Sequence, residues 1–210
     1  DRPNTILLDG GMGTMLQASG LKLGAKPEEL NITNPELIES IHAKYAAAGS
    51  RIVNANTFGA SAHKLAGSAY SLEEIIAAGI ANCKRACAPY GALTTLDVGP
   101  LGELLEPSGT LAFEDAVAEY ARIVKAGEAA GADLIFFETY TDLYELKAAL
   151  LAAKENTRLP ILASMSFEAG GRTFTGCTVE SFAATARGLG ADAVGINCSL
   201  GPKEIFPMAK

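Results

Sequence analysis

Three short joints constrain this chain more than any other feature. Ala48-Gly49-Ser50, Ala130-Gly131-Ala132-Asp133 and Leu189-Gly190-Ala191-Asp192 each leave a stretch with helical periodicity through a glycine and enter a β-rich run. A glycine just past a helix end, followed at once by a strand, is what a helix-to-strand connection requires. Repetition of that joint implies alternating β/α units with parallel strands. The strands are expected at 5–9, 51–55, 92–98, 133–138, 161–165 and 193–198. Leu134-Ile-Phe-Phe137 is an unbroken apolar run, as in a strand buried on both faces. Between the strands, Asn34 and Pro35 open a helix whose apolar set is Leu37, Ile38, Ile41 and Tyr45. Further helices are expected at 71–88, 113–130, 142–155 and 180–188. The fold class is therefore α/β, a TIM-like (β/α)8 barrel present as about six β/α units. A closed barrel needs eight units and usually about 250 residues. The expected domain is one barrel over 1–210, C-terminally truncated inside its sixth helix near Lys210, with strand edges left for a homo-oligomer to cover.

With 49% hydrophobic and 20% charged residues, the chain has enough apolar content for a sizeable core. A net charge of -7 with no Lys/Arg cluster argues against a nucleic-acid or anionic-membrane surface. No apolar run approaches the length of a membrane span, and the opening Asp1-Arg-Pro-Asn4 has no signal-peptide character. The expected location is cytoplasmic.

The chemistry-bearing residues gather at the predicted carboxyl ends of strands, where α/β proteins build their sites. They are Asp9, Asn56, Thr57, Asp97, Glu138, Ser166 and Cys198, and the convergence means more than any one of them. On residue type alone Cys198 is a metal ligand, a nucleophile or a small core residue, since free Cys is commonly buried. Cys83 and Cys87 are an i,i+4 pair expected to pack on a helix face. Cys177 falls in a loop. His42 sits mid-helix with a packing or surface role, and His63, following the Asn56-Thr57-Phe58 loop, is either near the site or, as the favoured reading, on a helix surface. A Ser-His-Asp or Cys-His nucleophile thus has no well-placed base. Gly10-Gly11-Met12-Gly13 permits close approach of a ligand to backbone, but it lacks the spacing of a nucleotide-binding loop.

Several stretches, in order along nearly the whole chain, resemble one family. They are Leu7-Leu-Asp-Gly-Gly-Met-Gly-Thr14, Pro27-Glu-Glu-Leu-Asn31, Asn56-Thr-Phe-Gly-Ala60, Asp97-Val-Gly-Pro-Leu-Gly102, Phe137-Glu-Thr139 and Gly195-Ile-Asn-Cys-Ser-Leu-Gly-Pro202. The family is the homocysteine S-methyltransferases, and the resemblance is to the homocysteine-binding domain of cobalamin-dependent methionine synthases. The same signature underlies betaine- and S-methylmethionine-dependent enzymes. Pro27-Glu-Glu-Leu-Asn31 and Asp97-Val-Gly-Pro100 look more like the cobalamin-dependent branch.

The resemblance implies zinc-dependent methyl transfer to the thiol of homocysteine, giving methionine. It assigns Cys198 to zinc and Asp9, Gly10, Gly11, Thr57 and Glu138 to homocysteine. The two remaining zinc thiolates of the family lie in an adjacent Cys pair that this chain lacks, so the full ligand set is not present. The chemistry suits a metal: a thiol with an ordinary pKa near 8.5 is mostly protonated at neutral pH, whereas its thiolate is the nucleophile. Three protein ligands on zinc leave one position open for a substrate thiol. By the same resemblance the methyl donor is methylcobalamin, recharged from methyltetrahydrofolate on other domains. The alternatives are a catalytically inactive homocysteine-binding fragment, which this chain taken alone is expected to be, or a betaine- or S-methylmethionine-dependent homocysteine methyltransferase.

Overall fold

A computed structural model describes residues 5–22 and 24–209. The opening Asp1-Arg-Pro-Asn4 and the final Lys210 lie outside the described residues. The strands are β1 (Ile52–Asn54), β2 (Leu93–Val98), β3 (Leu134–Tyr140), β4 (Ile161–Met165) and β5 (Ala193–Ile196). They form one sheet in the order β1-β2-β3-β4-β5, with β1–β2, β3–β4 and β4–β5 parallel. The helices are α1 (Met12–Ala18), α2 (Leu30–Thr33), α3 (Pro35–Ala47), α4 (Leu72–Cys87), α5 (Phe113–Ala129), α6 (Leu143–Asn156), α7 (Val179–Gly188) and α8 (Pro202–Met208). This is the expected TIM-like α/β alternation, with two differences: the short helices α1 and α2 are additions ahead of α3, and one strand is lost. The strand expected at 5–9 is reduced to a single parallel bridge, Leu8 to Ile52. Its partner β1 is only three residues long, and the chain turns away at Gly10-Gly11 into α1.

A glycine sets the turn at each of the three joints. Gly49, Gly131 and Gly190 have φ of 109°, 86° and 91°, a left-handed conformation that a side chain makes costly. Two of the joints then end on an aspartate that grips the preceding strand. Asp133 donates its N–H to the Thr94 carbonyl (2.9 Å) while its Oδ2 accepts from the Thr94 N–H (2.8 Å). Asp192 does the same to Ile161, with both distances 2.8 Å. One carboxylate thus satisfies an N–H at the start of a strand and fixes where the next strand enters.

The chain divides into two compact units, Asp1–Asp97 with Ala126–Leu134, and Val98–Lys125 with Ile135–Lys210. In the first, α3 begins as expected: the Asn34 side chain accepts from the Leu37 N–H, and Pro35 occupies the first turn. Leu16, Ile38 and Ile41 are buried together, with Met12, Met15 and Tyr45 packed on them. Ser71 and Glu74 cap α4 reciprocally. Cys83 and Cys87 are buried on its inner face with sulfurs 3.8 Å apart, a packing pair as expected. His42 is fully buried, and neither ring nitrogen has a hydrogen-bond partner among the described residues.

In the second unit the core is aromatic. Tyr120, Phe137 and Tyr140 meet with ring centroids 6.1–6.3 Å apart. Burial of Tyr120 pushes its phenol pKa well up, aided by the neighbouring Tyr140 and Glu145. The buried Glu145 accepts from the Tyr120 hydroxyl (2.9 Å) and from the Leu101 N–H (2.7 Å), while the Tyr140 hydroxyl donates to the Gly99 carbonyl. Buried groups of α6 and β3 therefore hold the Gly99–Gly102 loop.

Candidate functional site

At the end of β5 the backbone does something costly. Cys198 and Ser199 have φ of 58° and 51°, and Thr139, at the end of β3, has φ of 65°. Each costs an L-residue about 1–2 kcal/mol. Among the described residues these are the only non-glycine positions with positive φ, and all three belong to one cluster in the second unit. The β3–β4 register shifts between Phe137 and Tyr140, freeing Glu138 and Thr139 from regular pairing. Such irregularities re-aim side chains next to sites.

Asn197 sits at the centre of the cluster. Its Oδ1 accepts from the Thr139 N–H (3.2 Å) and the Ser164 hydroxyl (3.0 Å). The two hydrogens of its Nδ2 are shared among three acceptors, Glu138 Oε2 (3.3 Å), Thr139 Oγ1 (2.7 Å) and Cys198 Sγ (3.5 Å). The Thr139 hydroxyl also lies 3.8 Å from that sulfur. The Ser166 hydroxyl donates to the Asn197 carbonyl (3.0 Å), and the Ser199 hydroxyl to the Phe167 carbonyl (2.6 Å), which pins the left-handed turn. Cys198 is exposed and Glu138 half-buried. A carboxylate, a hydroxyl and an accessible thiol are thus gathered on one amide.

The remaining sequence-predicted residues lie in the first unit. Asp9 Oδ2 accepts from the Asn54 N–H (2.9 Å). Gly10 faces the Tyr45 ring so closely that an added Cβ would stand 2.9 Å from it, and the Tyr45 hydroxyl donates to the Gly11 carbonyl (3.1 Å). Partial burial, then the charge of Asp9, raise the Tyr45 phenol pKa. Thr57 is buried, and its hydroxyl is engaged twice with one residue. It donates to the Asp97 carbonyl (2.8 Å) and accepts from the Asp97 N–H (3.1 Å).

The Pro27-Glu-Glu-Leu-Asn31 stretch has its explanation in this unit. Glu28 Oε1 accepts from the Gly59 N–H (2.7 Å). Asn31 Nδ2 donates to the Asn56 carbonyl (2.8 Å), and Asn56 Nδ2 to Asn31 Oδ1 (3.0 Å) and the Pro27 carbonyl (2.8 Å). The motif clamps the 56–59 loop that carries Thr57.

Sequence reasoning gave Asn197, Thr139 and Ser164 no role. The available signal was their position at strand carboxyl ends; what linked them was the left-handed turn. Cys177 lies half-buried in a loop, where it lines a cavity with Asp142, Tyr144 and Lys147. A catalytic zinc does not fit the residues present. Cys198 is one thiol, and among the described residues no group of three or more His, Cys, Asp or Glu side chains could hold a metal ion.

A parallel α/β sheet whose strand ends carry a thiol, a carboxylate and their shared amide places the chain in the TIM-like α/β class. The chain belongs to the homocysteine S-methyltransferase family, whose model matches residues 6–210. It is 31% identical over 217 residues to the methionine synthase of Mycobacterium tuberculosis, and 31% identical over 221 residues to that of Mycobacterium leprae. Each match takes in 94% of this chain and 18% of the relative, so the chain spans less than a fifth of those proteins. Among solved structures, the metallated form of the Escherichia coli homocysteine methyltransferase MmuM superposes with a TM-score of 0.86 at 23% identity. That match covers 99% of this chain and 79% of the other. The apo form gives 0.77, again at 23% identity, over 99% and 77%. These likenesses bear on the fold. No described helix is long and apolar enough to cross a membrane.

Proposed function

We propose that this chain binds L-homocysteine and, within a larger methionine synthase, presents its thiol for methylation to methionine. The observation that carries the reading is the cluster on Asn197, where the half-buried Glu138 carboxylate and the exposed Cys198 thiol share one amide nitrogen. Glu138 suits the substrate ammonium group, because a charge-assisted hydrogen bond is about twice as strong as a neutral one. Cys198 marks the sulfur end. For the first unit, the motif resemblance supports Asp9, Gly10 and Gly11 as substrate contacts. Thr57, engaged with the Asp97 main chain, serves the reading by fixing that strand end.

The methyl donor in this reading is methylcobalamin, recharged from methyltetrahydrofolate, with both carried by other domains. The length of the methionine synthase relatives supports it. Zinc enters through Cys198 only if thiolates beyond the described residues join it. We therefore expect these 210 residues alone to bind homocysteine without zinc-dependent turnover.

Calorimetric titration tests the binding. The wild-type chain should bind L-homocysteine, and Glu138→Gln should bind it about 10- to 100-fold more weakly, as expected for losing one hydrogen bond to a charged group. Undetectable binding by the wild type at millimolar ligand refutes the reading. Zinc content after reconstitution, compared with Cys198→Ser, tests the second claim: stoichiometric zinc lost in the variant would overturn it.

A further inference from the structure

We propose that Asn197 is the positioning residue of this site: its side-chain amide sets the separation between the Glu138 carboxylate and the Cys198 sulfur, and so selects ligands by the spacing between ammonium and thiol. The inference rests on the homocysteine reading for its ligand, but its geometry and its test do not need homocysteine.

The two ends of the amide do different work. Oδ1 is tied to scaffold groups, the Thr139 N–H and the buried Ser164 hydroxyl. Nδ2 serves the groups that face a ligand, Glu138, Thr139 Oγ1 and Cys198 Sγ. The orientation is forced by the partners. Turning the amide over would place Oδ1 against a carboxylate oxygen and Nδ2 against the Thr139 N–H, two contacts between like groups. The main chain of Asn197 is also fixed, since its N–H donates to the Met165 carbonyl (3.3 Å) and its carbonyl accepts from Ser166. Held by both main chain and side chain, the amide is a rigid spacer. Carboxylate and sulfur each stand one hydrogen bond from the same nitrogen.

That arrangement distinguishes Asn197 from an asparagine that merely satisfies strand ends. A scaffold role needs only the Oδ1 contacts. A spacer role makes the influence of Glu138 on chemistry at Cys198 depend on Nδ2.

The experiment uses thiol-modifying probes in a Cys177→Ser background; Cys83 and Cys87 are buried. Cys198 is modified with 2-aminoethyl methanethiosulfonate, which carries an ammonium two carbons from its sulfur, and with neutral methyl methanethiosulfonate. Mass spectrometry confirms the modified residue. The readout is the ratio of the two rates relative to a free thiol, which cancels changes in exposure common to both reagents. The ratio should be raised about fivefold at low salt, the upper end for one exposed charge pair. Glu138→Gln should return it to the free-thiol value. Asn197→Leu, which leaves Glu138 in place and alters no charge, should return it equally, and Asn197→Ser does the same if the leucine variant fails to fold. A ratio unchanged in a folded Asn197 variant while Glu138→Gln lowers it overturns the proposal, as does a ratio indifferent to Glu138. Failure of the wild type to bind homocysteine would remove the proposed substrate and leave this outcome readable.

Discussion

His42 provides a quantitative test of how this fold handles a buried titratable group. It lies on α3, has no exposed surface, and neither nitrogen has a hydrogen-bond partner among the described residues. Burial lowers its pKa from the usual 6.5 to about 4, because an imidazolium there would lose its hydration without gaining a partner. The sign of the linkage follows. Between pH 4 and 6.5 the unfolded chain binds a proton that the folded chain does not, so stability rises with pH across that window. The contribution is complete above 6.5, and it is lost as pH falls toward 4. At 1.36 kcal/mol per pKa unit, the full swing is about 3 kcal/mol. Other groups titrate over the same range, so the informative quantity is the difference between wild type and His42→Leu. Chemical denaturation of both proteins should be followed from pH 7.5 to pH 4. At pH 7.5 the leucine variant should be at least as stable, because two unpartnered nitrogens are gone. On acidification its advantage should grow by about 3 kcal/mol, levelling off near pH 4. A difference that stays constant with pH would refute the reasoning, and would mean that the folded protein hydrates or pairs the ring.

Two further outcomes are expected from the clamp on the 56–59 loop. Burial raises the Glu28 pKa above 4.5 despite the hydrogen bond from the Gly59 N–H, so stability contributed by its protonated form is lost as pH rises through the shifted value. Glu28→Gln, which keeps the acceptor, should be at least as stable as wild type at pH 7, whereas Glu28→Ala orphans a buried N–H and should lose about 1–3 kcal/mol by denaturant titration. Gly79→Ala puts a Cβ 2.7 Å from Asn31 Nδ2 and 2.9 Å from Thr57 Cγ2. It should cost about 1–3 kcal/mol through overpacking, and an unchanged melting midpoint would show that the clamp yields freely.

Much of the chain was legible without coordinates. The Gly joints, the Asn34-Pro35 start of α3 and the apolar run of β3 are local signals, carried by conformational preference and periodicity over a few residues. They located the elements to within a residue or two, and five of the six expected strands formed. The first did not, because whether 5–9 becomes a strand depends on the length of its partner β1, which its own sequence does not encode. The strand-end rule likewise singled out Glu138 and Cys198 as chemistry-bearing. It could not show that Thr57 would turn its hydroxyl onto the Asp97 main chain, or that Pro27-Glu-Glu-Leu-Asn31 would act through buried hydrogen bonds to a loop 25 or more residues away.

Sequence by itself therefore determined the alternation of elements and the family. These follow from backbone preferences and motif identity, both written in contiguous residues. Tertiary structure alone decided how the chemistry is arranged: that the Asn197 amide joins groups from β3, β4 and the turn after β5, and that Thr139, Cys198 and Ser199 adopt left-handed backbone to meet it. No local preference favours those conformations in threonine, cysteine or serine. Hydrogen bonds reaching 31 to 59 residues along the chain hold them there.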